Sequence, residues 1–187
     1  GANTLDEYRS YWARALQTQG LVDVTASTSL IATWDDHEVV NDFAGLVTSP
    51  ERMAVGLSAF REALPQNEGE GGGIWRKRSW GEVADIFVLD GRGERDGESQ
   101  YISPEQMDWL KAELLDSSAR FKLLMNSVPI TDYKPIFGEI LADDRWQGYP
   151  EQRGELLDFI VANEIEGILW LTGDFHMSPA SRVDTPG

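Results

Sequence analysis

The chain has 187 residues, of which 41% are hydrophobic and 26% charged, the composition of a globular domain large enough to bury a core. Its net charge of −16, from 32 acidic and 16 basic residues, repels nucleic-acid backbones and anionic membranes, so no nucleic-acid backbone binding is expected. Absence of cysteine excludes disulfides and thiolate zinc sites within the chain, and no uninterrupted apolar run of about 18 residues offers a membrane span.

Residues 5–17, "LDEYRSYWARALQ", carry apolar or aromatic side chains at 5, 8, 12 and 16, the spacing of a helix. Residues 21–32 are rich in Thr and Ser and read as a β-prone stretch leading into "TWDDHEVVND" (33–42). A second amphipathic helix is predicted over 51–63, and "PQNEGEGGG" (65–73) is a loop by composition. Beyond it the period changes to that of strands, with "IWRKRSW" (74–80) and "EVADIFVLD" (82–90) forming a hairpin near Gly81. Ser103-Pro104 opens a helix with a capping hydroxyl and a proline at its first position. "RFKLLMNSVPI" (120–130) is a buried strand, "YPEQRGELLDFIVANEI" (149–165) a helix, and "GILWLTGDFH" (167–176) a buried strand entering a polar turn. The order β, β, α, β, α, β from residue 74 onward is that of an α/β protein.

Ligand sites in such proteins lie at the carboxyl ends of strands, and three predicted strand ends carry polar clusters: 33–38, 87–95 and 170–176. In the first, Asp35, Asp36, Glu38 and Asp42 repel one another unless protons, solvent or a cation neutralise them. The alternative is a solvated helix start, where aspartates cap free N–H groups. In the third, Asp174 and His176 stand two residues apart and point to one side if the segment is extended, which suits chelation. The chain's two histidines, His37 and His176, both fall in these clusters. Arg92 has a planar fork that matches two phosphate oxygens, or else pairs with Asp90 or Glu94. Asn41 either bonds within the site or caps a helix. Trp146, Tyr149 and Arg153 read first as packing and helix-start residues, and otherwise as an aromatic rim.

The motifs "WDDHE…ND", "VLDGRGER", "ISPEQMDWLKAELLDSSARFKLLMNSVPI", "RWQGYPEQRGELLDFI" and "LTGDFH", in that order, resemble the PhoD-like alkaline phosphatases of the calcineurin-like metallophosphoesterases. The likeness runs from about residue 5 to 178. It implies part of a two-sheet sandwich flanked by helices, with a multinuclear centre, calcium and iron among its metals, between strand-end loops. Matched to the superfamily motifs, Asp36 is implied as a metal ligand with Asp35 and Asn41 beside it, His37 as the acid assisting the leaving group, and Asp174 and His176 as ligands. The substrate implied is a small phosphate ester, cleaved by a metal-activated water. Members are often exported; "GANTLDEYRSYW" has no signal-peptide layout, and localisation stays open.

The superfamily's early motifs, an Asp-bearing strand and a Gly-Asp strand end, find no match in residues 1–33. The resemblance therefore implies one domain over 1–187 corresponding to the C-terminal part of such a fold, its N-terminal strands missing. Open sheet edges invite a homo-oligomer that covers them. Two other functions stand beside the phosphoesterase: a domain of the same fold that binds metal without turnover, active only with a further segment or chain, and an inert α/β scaffold whose clusters are ordinary caps and ion pairs.

Overall fold

The computed structural model describes residues 2–69, 72–133 and 142–183. These residues form an α/β arrangement with five α-helices and a four-stranded sheet among them: α1 (Leu5–Leu16), α2 (Gln19–Ser27), α3 (Pro50–Ala63), β1 (Arg76–Trp80), β2 (Ala84–Val88), α4 (Pro104–Asp116), β3 (Phe121–Asn126), α5 (Pro150–Ala162) and β4 (Ile168–Thr172). The strands lie in the order β1-β2-β3-β4. β1 and β2 make the antiparallel hairpin, while β2, β3 and β4 run parallel, joined through α4 and α5. Parallel neighbours need such crossovers, and these place the carboxyl ends of β2, β3 and β4 along one edge. Among the described residues the outer sides of β1 and β4 have no partner strand.

Sequence explains most element ends. Thr4 and Glu7 cap α1 reciprocally, and Ser49 and Ser103 accept from backbone N–H groups at the starts of α3 and α4, each followed by proline. Phe87, Leu124 and Trp170 stand in register across β2, β3 and β4. They pack with Met107, Leu110 and Leu114 of α4 and Leu156 and Leu157 of α5 in the main core. A second cluster, Trp34, Val39, Phe43, Phe60 and Ile74, seats the 34–43 segment against α3.

The stretch read as β-prone at 21–32 is instead helical over Gln19–Ser27. No residue of α2 is buried, so packing does not select its conformation. Local bonds do: Thr25 Oγ1 donates to the Leu21 carbonyl at 2.9 Å, Ser27 Oγ to the Asp23 carbonyl at 2.7 Å, and Gln19 to Asp23 at 2.7 Å. The cluster at 33–38 accordingly follows an irregular segment rather than a strand. That segment still crosses the carboxyl edge of the sheet. Thr33 Oγ1 donates to the Leu89 carbonyl at 2.7 Å beyond β2, and Ser127 Oγ donates to the Trp34 carbonyl at 2.7 Å beyond β3.

Gly45 closes the edge from the other side. Its N–H donates to the Arg92 carbonyl at 2.8 Å, and a Cβ there would sit 1.9 Å from the Gly93 oxygen. Gly45→Ala must therefore push the facing backbones away from each other and should cost about 1–3 kcal/mol in urea unfolding. Gly20→Ala, on α2 with nothing within 4 Å of the added atom, should leave stability equal or raise it by up to about 1 kcal/mol. Equal effects of the two substitutions would contradict this close approach.

Candidate metal centre

Three segments meet at the carboxyl edge of the sheet: 33–42, the loop 89–96 after β2, and the turn 173–176 after β4. A fourth, around Asp144, closes over them. The loop after β2 is fixed from within. The Gln106 side chain of α4 accepts from the Asp90 N–H at 2.9 Å and donates to the Asp90 carbonyl at 3.2 Å and to Glu94 at 2.6 Å. Asp90 is buried and accepts from Trp34 Nε1 and the Gly93 N–H, both at 2.7 Å. Burial pushes its pKa up against those donors.

Arg92 is fully buried and joins the segments. Its Nε donates to Asp35 at 2.8 Å, and Nη1 and Nη2 both donate to the Asp144 carboxylate, the latter at 3.0 Å. Arg95 reaches the same carboxylate at 3.0 Å and the Asp144 carbonyl at 3.1 Å. Burial opposes the Arg92 charge, but the hydrogen bonds to Asp144 and the charges of Asp35 and Asp144 outweigh it and hold its pKa above the ordinary value. All three guanidinium nitrogens are therefore engaged with carboxylates. The partners are Asp35 and Asp144, not the anticipated Asp90 and Glu94 side chains, and the fork does not face an open phosphate position.

The arginine turns Asp35 toward Asp36 and Asp174. One ligand oxygen from each of the three lies within 4.8 Å of the others. Asp36 is buried; its Oδ1 accepts from the His37 N–H at 2.7 Å and its Oδ2 from the Asp42 N–H at 3.0 Å. Among the described residues neither Asp36 nor Asp174 has an arginine partner. Burial first, then the charges of Asp35 and Asp144, raise the Asp174 carboxyl to about 6. Asp35 is raised by burial that Arg92 only partly offsets, and Asp42 by burial and the nearby Asp144 and Asp36. Anions forced together this way are what a cation relieves.

A cavity of about 300 Å³ opens above the carboxylates, lined by His37, Asn41, Asp42, Arg145, Phe175 and His176 besides the acidic groups. The His37 side chain is 78% exposed, with Nε2 4.0 Å from Asp36 Oδ2. Asn41 lines this cavity and donates to Asp42 at 2.6 Å. His176 lines it too, but the close group is the three aspartates. The extended geometry anticipated for 174–176 is not found. Asp174 and His176 have φ of 59° and 51°, both left-handed, so the segment is a tight turn rather than extended chain, and both residues border the cavity. Phe175 holds that turn, stacked on Tyr133 with ring centroids 4.6 Å apart and covered by Arg145 at 5.2 Å.

Asp144, Arg145 and Arg95 belong to this arrangement, and the sequence reading does not single them out. The available signal is the acidic pair Asp143-Asp144 directly before "RWQGY". Trp146 and Tyr149 are buried, packed on Tyr101 with centroids 4.0 and 5.4 Å away, and Arg153 donates to the Ile130 carbonyl at 2.7 Å.

Comparisons with known proteins bear on the family and the fold. A family model described as PhoD-like phosphatase matches residues 1–186. Alkaline phosphatase D of Bacillus subtilis (strain 168) is 28% identical over 216 aligned residues, covering 96% of this chain and 36% of that protein. A solved structure titled "Structure of PhoD" superposes with a TM-score of 0.81 at 26% identity, over 92% of this chain and 39% of the other. The chain thus spans well under half the length of these relatives.

The raised Asp174 carboxyl has a signed consequence for stability. Its charged form is disfavoured on folding, so without metal it destabilises the protein above about pH 6 and contributes nothing below the unfolded carboxyl range near pH 4. Asp174→Asn should therefore melt higher than the parent at pH 8 in chelator, and no higher at pH 4. A variant that melts lower than the parent at pH 8 in chelator would refute the crowding of charge at this turn.

Proposed function

The chain belongs to the PhoD-like phosphatase family, and on that premise we propose that it carries a portion of the centre of a metal-dependent phosphoesterase. The reaction is hydrolysis of phosphate monoesters or diesters by a water molecule. The observation that supports this most directly is the convergence of Asp35, Asp36 and Asp174 within 4.8 Å, with burial and mutual repulsion raising two of the three carboxyls.

The donor set fits a cation. Three carboxylates are hard oxygen ligands suited to calcium or ferric iron, and the nearby imidazoles of His37 and His176 extend the choice to borderline ions. A bound cation supplies positive charge against the phosphate oxygens and makes water a competent nucleophile near neutral pH. The chain's own residues do the rest. Asp36, its orientation set by the His37 and Asp42 amides, and Asp35, set by Arg92, would hold the cation with Asp174. Arg92 acts as a positioning residue beneath Asp35, with no direct contact to phosphate. His37 stands on the open side of Asp36, where its protonated ring donates to the departing alkoxide oxygen. Asn41 borders the same opening and orients Asp42.

A second reading, a domain that binds metal without turnover, is favoured by one feature. Among the described residues a single cluster of three ligands is present, which suits one cation, whereas the superfamily's centre is multinuclear.

If His37 is the acid, its loss must hurt most where the leaving group is most basic. His37→Ala should lower kcat for an alkyl phosphate by about 10²-fold or more, and far less for 4-nitrophenyl phosphate, whose leaving group departs unassisted. Equal losses for the two esters would remove the proton-donor role, and retention of full activity on both would remove His37 from the mechanism.

A further inference from the structure

His37 and Asn41 line a second cavity as well as the one over the carboxylates. It has a volume of about 700 Å³, within the range of small-molecule sites, and lies between α1, the 37–41 turn and Arg52 of α3. We propose that this cavity holds the leaving group of the ester, and that it selects a flat aromatic alcohol. The proposal rests on the phosphoesterase reading, because it is His37 that marks where the ester oxygen sits. A phosphate over Asp35, Asp36 and Asp174 presents its leaving oxygen to His37, and the organic group must then continue on the far side of that ring. His37 and Asn41 border both cavities, so this one adjoins that position.

Its walls suit an aromatic guest. Tyr8, Tyr11 and Trp12 stand at helical positions i, i+3 and i+4, on one face of α1, with Val39 and Val40 opposite. Tyr11 is 54% exposed and Trp12 only half-buried, although both are large rings that a purely structural face would cover. The site is also built in advance. Tyr8 Oη donates to the Val39 carbonyl, tying α1 to the turn that carries His37. Arg52 donates to the Ala2 carbonyl at 3.0 Å and to Tyr8 Oη at 3.4 Å. Arg9 clamps the back of α1 to Glu62 of α3 at 2.7 and 2.8 Å. Among the described residues no carboxylate pairs with Arg52, so the cavity offers a cation to a leaving group that carries a further acceptor. Glu38 is the acidic residue in the wall, and it is occupied by the Asp35 N–H at 2.8 Å. A methyl or ethyl group would leave most of this volume to water.

The test compares 2-naphthyl phosphate with methyl phosphate on the metal-loaded protein, and measures 2-naphthol binding separately by calorimetry without phosphate. Trp12→Ala should raise KM for the naphthyl ester about tenfold or more with kcat within about twofold, and leave both constants for the methyl ester unchanged. Because Trp12 also packs 6.1 Å from Phe60, Tyr11→Ser, at a more exposed ring, is made in parallel and should shift the same constant in the same direction. Naphthol should bind the parent and bind each variant about tenfold more weakly. Unchanged kinetics on both esters in two folded variants, with no naphthol binding, would overturn the cavity's role. Naphthol binding that the variants weaken, with hydrolysis of neither ester, would instead overturn the phosphoesterase reading and leave the cavity standing.

Discussion

The buried guanidinium of Arg92 is the contact on which the rest of the site depends. It joins residues 57 and 52 positions away in sequence, Asp35 and Asp144, through all three of its nitrogens. Among the described residues neither 33–38 nor 142–148 forms a strand that the sheet could hold, so a charged fork does what ladder hydrogen bonds do elsewhere. A buried pair of this kind adds little net stability over an apolar replacement. Removing one partner, however, strands a charge in the interior at a cost of about 3–5 kcal/mol. The arrangement therefore specifies geometry more than it strengthens the fold. It also divides the acidic groups into two classes, those neutralised by arginine and those left for something else.

That division links stability to function. Asp144 and one oxygen of Asp35 are satisfied by Arg92 and Arg95, whereas Asp36 and Asp174 face the cavity with, among the described residues, amide donors or none. Like charges crowd there, and burial together with Asp35 and Asp144 raises the Asp174 carboxyl to about 6. Active sites commonly store destabilisation of this type and recover it on binding. The rigid frame around the cluster keeps the carboxylates from simply swinging apart. Gly93 allows Asp90 and Trp34 to approach its Cα closely, with a hypothetical Cβ 2.5 Å from Asp90 Oδ2, and Gln106 pins the same loop to α4.

Much of this is legible in the residues themselves. The hairpin at Gly81, the helices at 104 and 150 and the strands at 121 and 168 follow from period, proline and serine, because local chemistry and burial agree there. Clustered aspartates and the order of the motifs locate the family, and Asp36, Asp174, His37, Asn41 and His176 do border one cavity, with Asp35 against the two aspartates. What cannot be read are relations that only folding creates. Arg92 lies two residues from both Asp90 and Glu94, so a local ion pair is the natural reading. The fold instead carries its side chain across to Asp35 and Asp144. The α2 helix is hidden because Val22, Val24 and Thr25 argue for a strand, whereas among the described residues no strand lies beside it and side-chain bonds to the backbone decide. The left-handed turn at Asp174 and His176 departs from the extended backbone that their spacing suggests, although both residues still border one cavity.

The central claim is that carboxylates set in place by Arg92 hold a cation. It is tested most directly by elemental analysis of the protein after exposure to calcium and ferric iron and exhaustive dialysis, comparing the parent with an Asp36→Asn/Asp174→Asn double variant. At least one ion should stay with each parent chain, and none with a double variant that remains folded by circular dichroism. A folded parent that retains no ion, or a double variant that retains as much as the parent, would contradict it.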